Sequence, residues 1–181
     1  MSRKAFQAAR QAAGQSLTVT ALLGTMALAA CSTVPVGSGP APVASGAFDR
    51  ADFVWSSAQG RGGIQGQVTS TQDGTAFSCI GSVGLTPATP YTDARFQTLY
   101  GSNSRAQLPA EVVRARTVPD PSADYSDFLR STACENNRFD FANLPDGRWY
   151  VIAPVRAGQG PVTVLMQQVH IRNGRTINLS L

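Results

Sequence analysis

Apolar and polar residues alternate with a period of two through most of the second half of this chain, which is the pattern of half-buried β-strands. Ile64, Gly66 and Val68 alternate with polar neighbours, and Gln72-Asp73-Gly74 makes a turn. Phe77, Cys79, Gly81, Val83 and Leu85 share one face of a second strand. A third run, from Phe128 to Cys134, ends at Asn136-Asn137, two residues that tolerate positive φ. Phe139 and Phe141 then alternate with Arg138 and Asp140 as in the return strand of a hairpin. Pro145-Asp146-Gly147 turns the chain into Trp149, Val151, Ala153 and Val155. A strand from Val162 to Arg172 follows the Gly158 to Pro161 turn, and the Asn173-Gly174 hairpin signal leads to Ile177, Leu179 and Leu181. Short strands separated by turn residues predict an all-β antiparallel sandwich.

Two regions break the pattern. Thr33 to Ala47 contains Pro35, Pro40 and Pro42 among Gly, Ser and Ala, and cannot bury a face, so 31–47 reads as a flexible tether. The large side chains begin at Phe48, Phe53, Val54 and Trp55, which sets the folded domain at 48–181. From Thr86 to Asp127 the alternation lapses for longer than a plain connection needs, which predicts an insertion of about 40 residues. Within it, Tyr91 to Tyr100 holds no Pro or Gly and begins beside Thr92-Asp93, so a short helix is expected there, with an extra strand over Glu111 to Val118. Tyr91, Phe96 and Tyr100 are the candidate binding patch, set against the alternative that these rings cover an edge of the sandwich.

Arg3, Lys4 and Arg10 precede an apolar or small run from Leu17 to Ala30, too short to span a bilayer. The run ends in Leu28-Ala29-Ala30-Cys31, which resembles the lipobox of bacterial lipoproteins. That resemblance implies a signal peptide over 1–30, a diacylglyceryl group on the Cys31 thiol and cleavage before Cys31. Two or three acyl chains then anchor stably where one binds only reversibly. The residue after the cysteine is Ser32 rather than Asp, which by the sorting rule of enteric lipoproteins points to the outer membrane, with the domain facing the periplasm.

Removing 1–30 takes away three of the 15 Lys+Arg against 11 Asp+Glu, so the net charge of +4 falls to about +1 and no basic footprint for nucleic acid is left. Cys79 and Cys134 are the remaining thiols, and an even pair in an exported protein suggests a disulfide. Closing that loop stabilises by roughly 4 kcal/mol in the chain-entropy model.

Gly63-Ile64-Gln65-Gly66-Gln67-Val68, Arg138-Phe139-Asp140-Phe141 and Asn143-Leu144-Pro145-Asp146-Gly147-Arg148-Trp149-Tyr150-Val151 resemble the motifs of carboxypeptidase regulatory-like domains. These transthyretin-like or Cna-B-like modules are seven-to-eight-stranded sandwiches. The resemblance covers Gly63 to Leu85 and Thr132 to Leu181, with Trp149 standing where the family usually has Tyr and Asn137 where it usually has Gly. It implies a non-catalytic appendage, and Leu144 as a plug over Trp149. The Lys–Asn isopeptide bond of some Cna-B-like domains is excluded, because Lys4 is the only lysine.

The remaining chemistry is sparse. His170 is the only histidine, on the outward phase of its strand, and makes neither a zinc site nor a Ser-His-Asp set. Gly60, Gly62 and Gly66 lack the spacing of a dinucleotide loop. Asp120, Asp124 and Asp127 lack the calcium-loop pattern, so neither a metal nor a cofactor is expected. The expected function is that of a lipid-anchored envelope module, not an enzyme, that serves a binding or structural role, with an envelope protein or glycan as the partner. The alternative is an accessory domain or enzyme acting on cell-wall glycans, which needs Asp120, Asp124 and Asp127 gathered in a pocket with Arg114 or Arg116.

Overall fold

A computed structural model describes residues 46–118 and 124–181. The signal segment, Cys31 and Ser32, nearly all of the tether, and Asp120 lie outside the described residues. A 3-10 helix over Arg50–Ser57 leads into β1 (Gly62–Gln67), β2 (Thr71–Gln72), β3 (Thr75–Cys79) and β4 (Ser82–Pro87). Next come α1 (Pro90–Tyr100), β5 (Arg105–Pro109), α2 (Ala110–Ala115) and a second 3-10 helix, Asp124–Phe128. The chain closes with β6 (Arg130–Ala133), β7 (Arg138–Leu144), β8 (Gly147–Ala157), β9 (Val162–Ile171) and β10 (Thr176–Ser180).

These strands form the expected β-sandwich. The small sheet has the order β10-β1-β7, and the seven-stranded sheet is built around β8, which pairs with β3, β4 and β9. Neighbouring strands run antiparallel except β1 and β10, which are parallel. Between the sheets lie Ile64, Phe77, Val83, Leu85, Trp149 and Ile171, each at most 1% exposed. Leu144 is fully buried against the same core, and the Trp149 indole N–H donates to the Pro145 carbonyl at 3.4 Å.

Four local expectations are corrected. The run from Phe77 to Leu85 is two strands, because Gly81 takes φ 72° and the register against β8 shifts between Cys79↔Val155 and Gly84↔Ile152. The Asn173-Gly174 turn has the expected backbone (φ 57° and 62°), but β9 and β10 do not pair. Both edges of β9 are taken, by β8 and β5, so the chain crosses to the small sheet and delivers Leu179 to the core beside β1. Asp146 holds this crossing turn by accepting from the Asn173 and Gly174 amides at 2.6 and 2.8 Å. Asn136-Asn137 does make the expected tight turn, with Glu135 and Arg138 exchanging backbone hydrogen bonds at 2.9 Å, but the strands part beyond it, β6 pairing with β4 and β7 with β1.

The third and fourth corrections fall in the segment read as an insertion. Its helix starts one residue early, at Pro90, and is capped by Thr89 rather than by Thr92-Asp93. The Thr92 amide donates to Thr89 Oγ1 at 3.2 Å and the Thr89 amide to Thr92 Oγ1 at 2.8 Å, a reciprocal cap that satisfies two otherwise orphaned donors. Glu111 to Val118 is not a strand. The strand is Arg105–Pro109, which pairs with β9, and Ala110–Ala115 is a short helix. Ala-Glu-Val-Val-Arg-Ala has the propensity of a helix, with Glu111 in its first turn and Arg114 in its last.

Helix α1 covers the outer face of the large sheet. Phe96 stacks edge-on against Tyr150 with ring centroids 4.4 Å apart, and Met166 and Ala88 complete this second core. Asp93 fixes the helix in place, accepting from the Tyr150 hydroxyl at 2.5 Å and from Arg148 at 3.3 Å. Burial first, and then the bond to Asp93, raises the Tyr150 phenol well above its ordinary pKa.

Candidate functional site

The outer face of the small sheet is built by plain alternation. In β1 the inward positions are Ile64 and Gly66, so Gln65 and Gln67 point to solvent. In β7, Phe139 and Phe141 are buried while Arg138 and Asp140 are exposed, and in β10 Leu179 is buried while Asn178 and Ser180 are exposed. Register sets these residues in two rows across the sheet, Asn178–Gln65–Asp140 and Ser180–Gln67–Arg138. Neighbours within a row are about 4.8 Å apart, and the rows are about 7 Å apart.

This face lines a concavity of about 930 Å³, bounded on one side by Thr132, Ala133, Glu135 and Asn136. Among the described residues the side chains of Gln65, Gln67, Asn178, Arg138 and Asp140 form no hydrogen bond or ion pair with protein, whereas Ser180 shares a hydroxyl contact with Thr69 at 2.6 Å. Gly66 keeps the sheet thin here: a Cβ at this position would lie 2.0 Å from the Phe139 ring, which occupies the inner side. The surface therefore offers amide donors and acceptors, one guanidinium and one carboxylate, held on strands instead of mobile loops. The sequence pattern gave the outward phase of each strand but not the adjacency of β10, β1 and β7, on which the surface depends.

The aromatic candidates occupy the other side of the sandwich and are mostly sealed. Tyr91 is 1% exposed, packed among Phe48, Phe53 and Tyr125, and Phe96 is 5% exposed beneath α1. The binding-patch reading is thus corrected for Tyr91 and Phe96 in favour of the alternative that these rings cover the sandwich: helical spacing turns two of the three rings into the domain. Tyr100 is half-buried on the wall of a groove of about 520 Å³, opposite Tyr125 and Leu129. Burial, reinforced by Tyr125 and partly offset by Arg95, pushes its phenol up to about 12. The groove floor is apolar, with Ile152, Pro154 and Val164 around Gly84. The guanidinium of Arg130 is turned away from it, donating to the Ser56 carbonyl at 2.6 Å.

Cys79 and Cys134 form the expected disulfide, with Cα atoms 6.0 Å apart. It ties the end of β3 to the β6–β7 crossing, where Asn137 adds two bonds: its side chain accepts from the Cys79 amide and donates to the Phe77 carbonyl, both at 2.9 Å. Positive φ at Asn137 (62°) aims the side chain at that strand. His170 is exposed and contacts Arg172 at 3.1 Å. Asp127 pairs with Arg50 on the surface, and Arg116 donates to the Leu99 carbonyl at 2.8 Å. Arg114 and Asp124 are exposed, Asp120 lies outside the described residues, and neither the concavity nor the groove described above is lined by Arg114, Arg116, Asp124 or Asp127. Among the described residues no cluster of metal-ligating side chains is present, and no helix is long and apolar enough to cross a membrane.

No protein-family model matches the chain, and no curated protein sequence does either. Among solved structures, it is similar to a crystal structure from Pseudomonas aeruginosa described as a "putative carbohydrate binding protein". The two share 22% identity over 74% of this chain and 97% of the other, with a TM-score of 0.49.

Proposed function

We propose that this protein is a non-catalytic binding module, held in a bacterial envelope by lipid on Cys31, that takes a glycan on the polar face of β1, β7 and β10. The observation that carries this reading is the set of five strand-borne side chains, Gln65, Gln67, Asn178, Arg138 and Asp140, that share one concavity and have no protein partner among the described residues. Each sugar hydroxyl both donates and accepts, so a surface mixing amides with a guanidinium and a carboxylate can satisfy several at once. Rigid backbone placement keeps the ordering cost of binding low. The basic, apolar and Leu28-Ala29-Ala30-Cys31 order of the N-terminus supports the anchor, and the Cys79–Cys134 bridge suits an oxidising compartment.

Glycan-array binding by the full-length mature lipoprotein in detergent tests the reading. Glycan retention that falls at least tenfold in Gln65→Ala/Gln67→Ala is expected, and retention unchanged in that variant would overturn it. Mass spectrometry of the mature N-terminal peptide tests the anchor separately. A cleaved, diacylglyceryl-modified Cys31 is expected, and an uncut N-terminus would remove the anchor.

A further inference from the structure

The chemistry and size of this same face narrow its ligand, on the premise that it binds glycan at all. We infer that the face takes an uncharged oligosaccharide of two or more rings, and discriminates against acidic sugars. Charge gives the first part. Asp140 lies in one row, Arg138 in the other, and Glu135 on the bounding wall, so the concavity carries two carboxylates against one guanidinium. A uronate polymer brings a carboxylate on every ring, and at least one of them must meet Asp140 or Glu135 with only Arg138 to offset it. Hydroxyls meet no such conflict, and the amides of Gln65, Gln67 and Asn178 are neutral partners for them.

Dimensions give the second part. About 930 Å³ lies at the upper end of the roughly 300–1,000 Å³ typical of small-ligand sites, more than one sugar ring fills. The hydrogen-bonding groups are spread over three strands, about 10 Å from β10 to β7, so a single ring reaches only part of the set.

Isothermal titration of the full-length mature lipoprotein with glucose and N-acetylglucosamine oligomers of one, two, four and six rings, beside galacturonate oligomers of equal length, tests both parts. Neutral affinity is expected to rise at least tenfold from one ring to four. Galacturonates are expected to bind at least tenfold more weakly at low salt, with the gap closing in Glu135→Gln/Asp140→Asn. Tighter binding of galacturonates, or affinity independent of length, would overturn the inference while leaving glycan binding intact. Absence of binding by every saccharide, neutral or acidic, would overturn the inference and the glycan reading together.

Discussion

The outer faces of the two sheets solve the same problem in opposite ways. Strand β8 is buried on both faces over 149–151: Trp149 and Val151 pack inward, Tyr150 packs outward under α1, and all three are fully buried. The outward Ile152 and Pro154 beyond them floor the groove. Strand β1 buries one face only, so Ile64 and Gly66 are inside while Gln65 and Gln67 stay wet. A strand covered on both sides reads as a continuous apolar run, and one covered on a single side alternates. Whether a sheet face is available to a ligand is therefore decided by what the rest of the chain lays over it. Here the segment carrying α1 takes the large sheet and leaves the small one bare.

The sharpest way to break the contrast is to lift the cover. Phe96→Ala removes a ring that is 5% exposed and packed on Tyr150 and Tyr100. Truncating a buried aromatic costs about 3–5 kcal/mol, and chemical denaturation should show a loss of that size. A loss under about 1 kcal/mol would mean that α1 rests on the sheet without sealing it.

The disulfide joins the two regimes, since β3 belongs to the large sheet while the β6–β7 crossing borders the polar face. Replacing both cysteines (Cys79→Ser with Cys134→Ser) should cost about 2–4 kcal/mol, read from denaturant midpoints under identical buffer. Asn137→Gly keeps the positive φ but deletes both side-chain bonds to β3. With a typical net worth of about 0.5–1.5 kcal/mol per hydrogen bond, a loss of about 1–3 kcal/mol is expected from the two bonds. No loss at all would leave the disulfide as the sole clamp at this corner.

Much of this architecture was legible along the chain, and the rest was not, for identifiable reasons. Period-two runs located β1, β7, β8, β9 and β10, because each carries at least one clean inner phase. Turn chemistry was also legible: Asp73, Asn136, Asn137 and Asn173 all take positive φ. Turn type, however, does not say which sheet receives the next strand. Asn136-Asn137 closes a tight antiparallel turn between Glu135 and Arg138 whose strands then part to different sheets, and Asn173-Gly174 is a crossing, because strand pairing depends on which edges are already occupied. The polar face needed that non-local information, so its residues were visible singly and not as a surface. The aromatic residues of α1 misled in the other direction. Tyr91 and Phe96 marked an unusual segment, yet a helix laid on a sheet turns such rings inward, and large apolar side chains are more often buried than displayed.

The smallest expected effect is the most discriminating. Gln65→Ala/Gln67→Ala changes two exposed side chains that make no hydrogen bond to protein among the described residues, on a strand whose backbone is paired on both sides. Surface substitutions of this kind usually stay within about 0.5 kcal/mol, so the denaturation midpoint should barely move. If these residues served the fold, stability and glycan retention would fall together. A face kept bare for a ligand predicts that retention falls alone, and the stability measurement on this one variant separates the two.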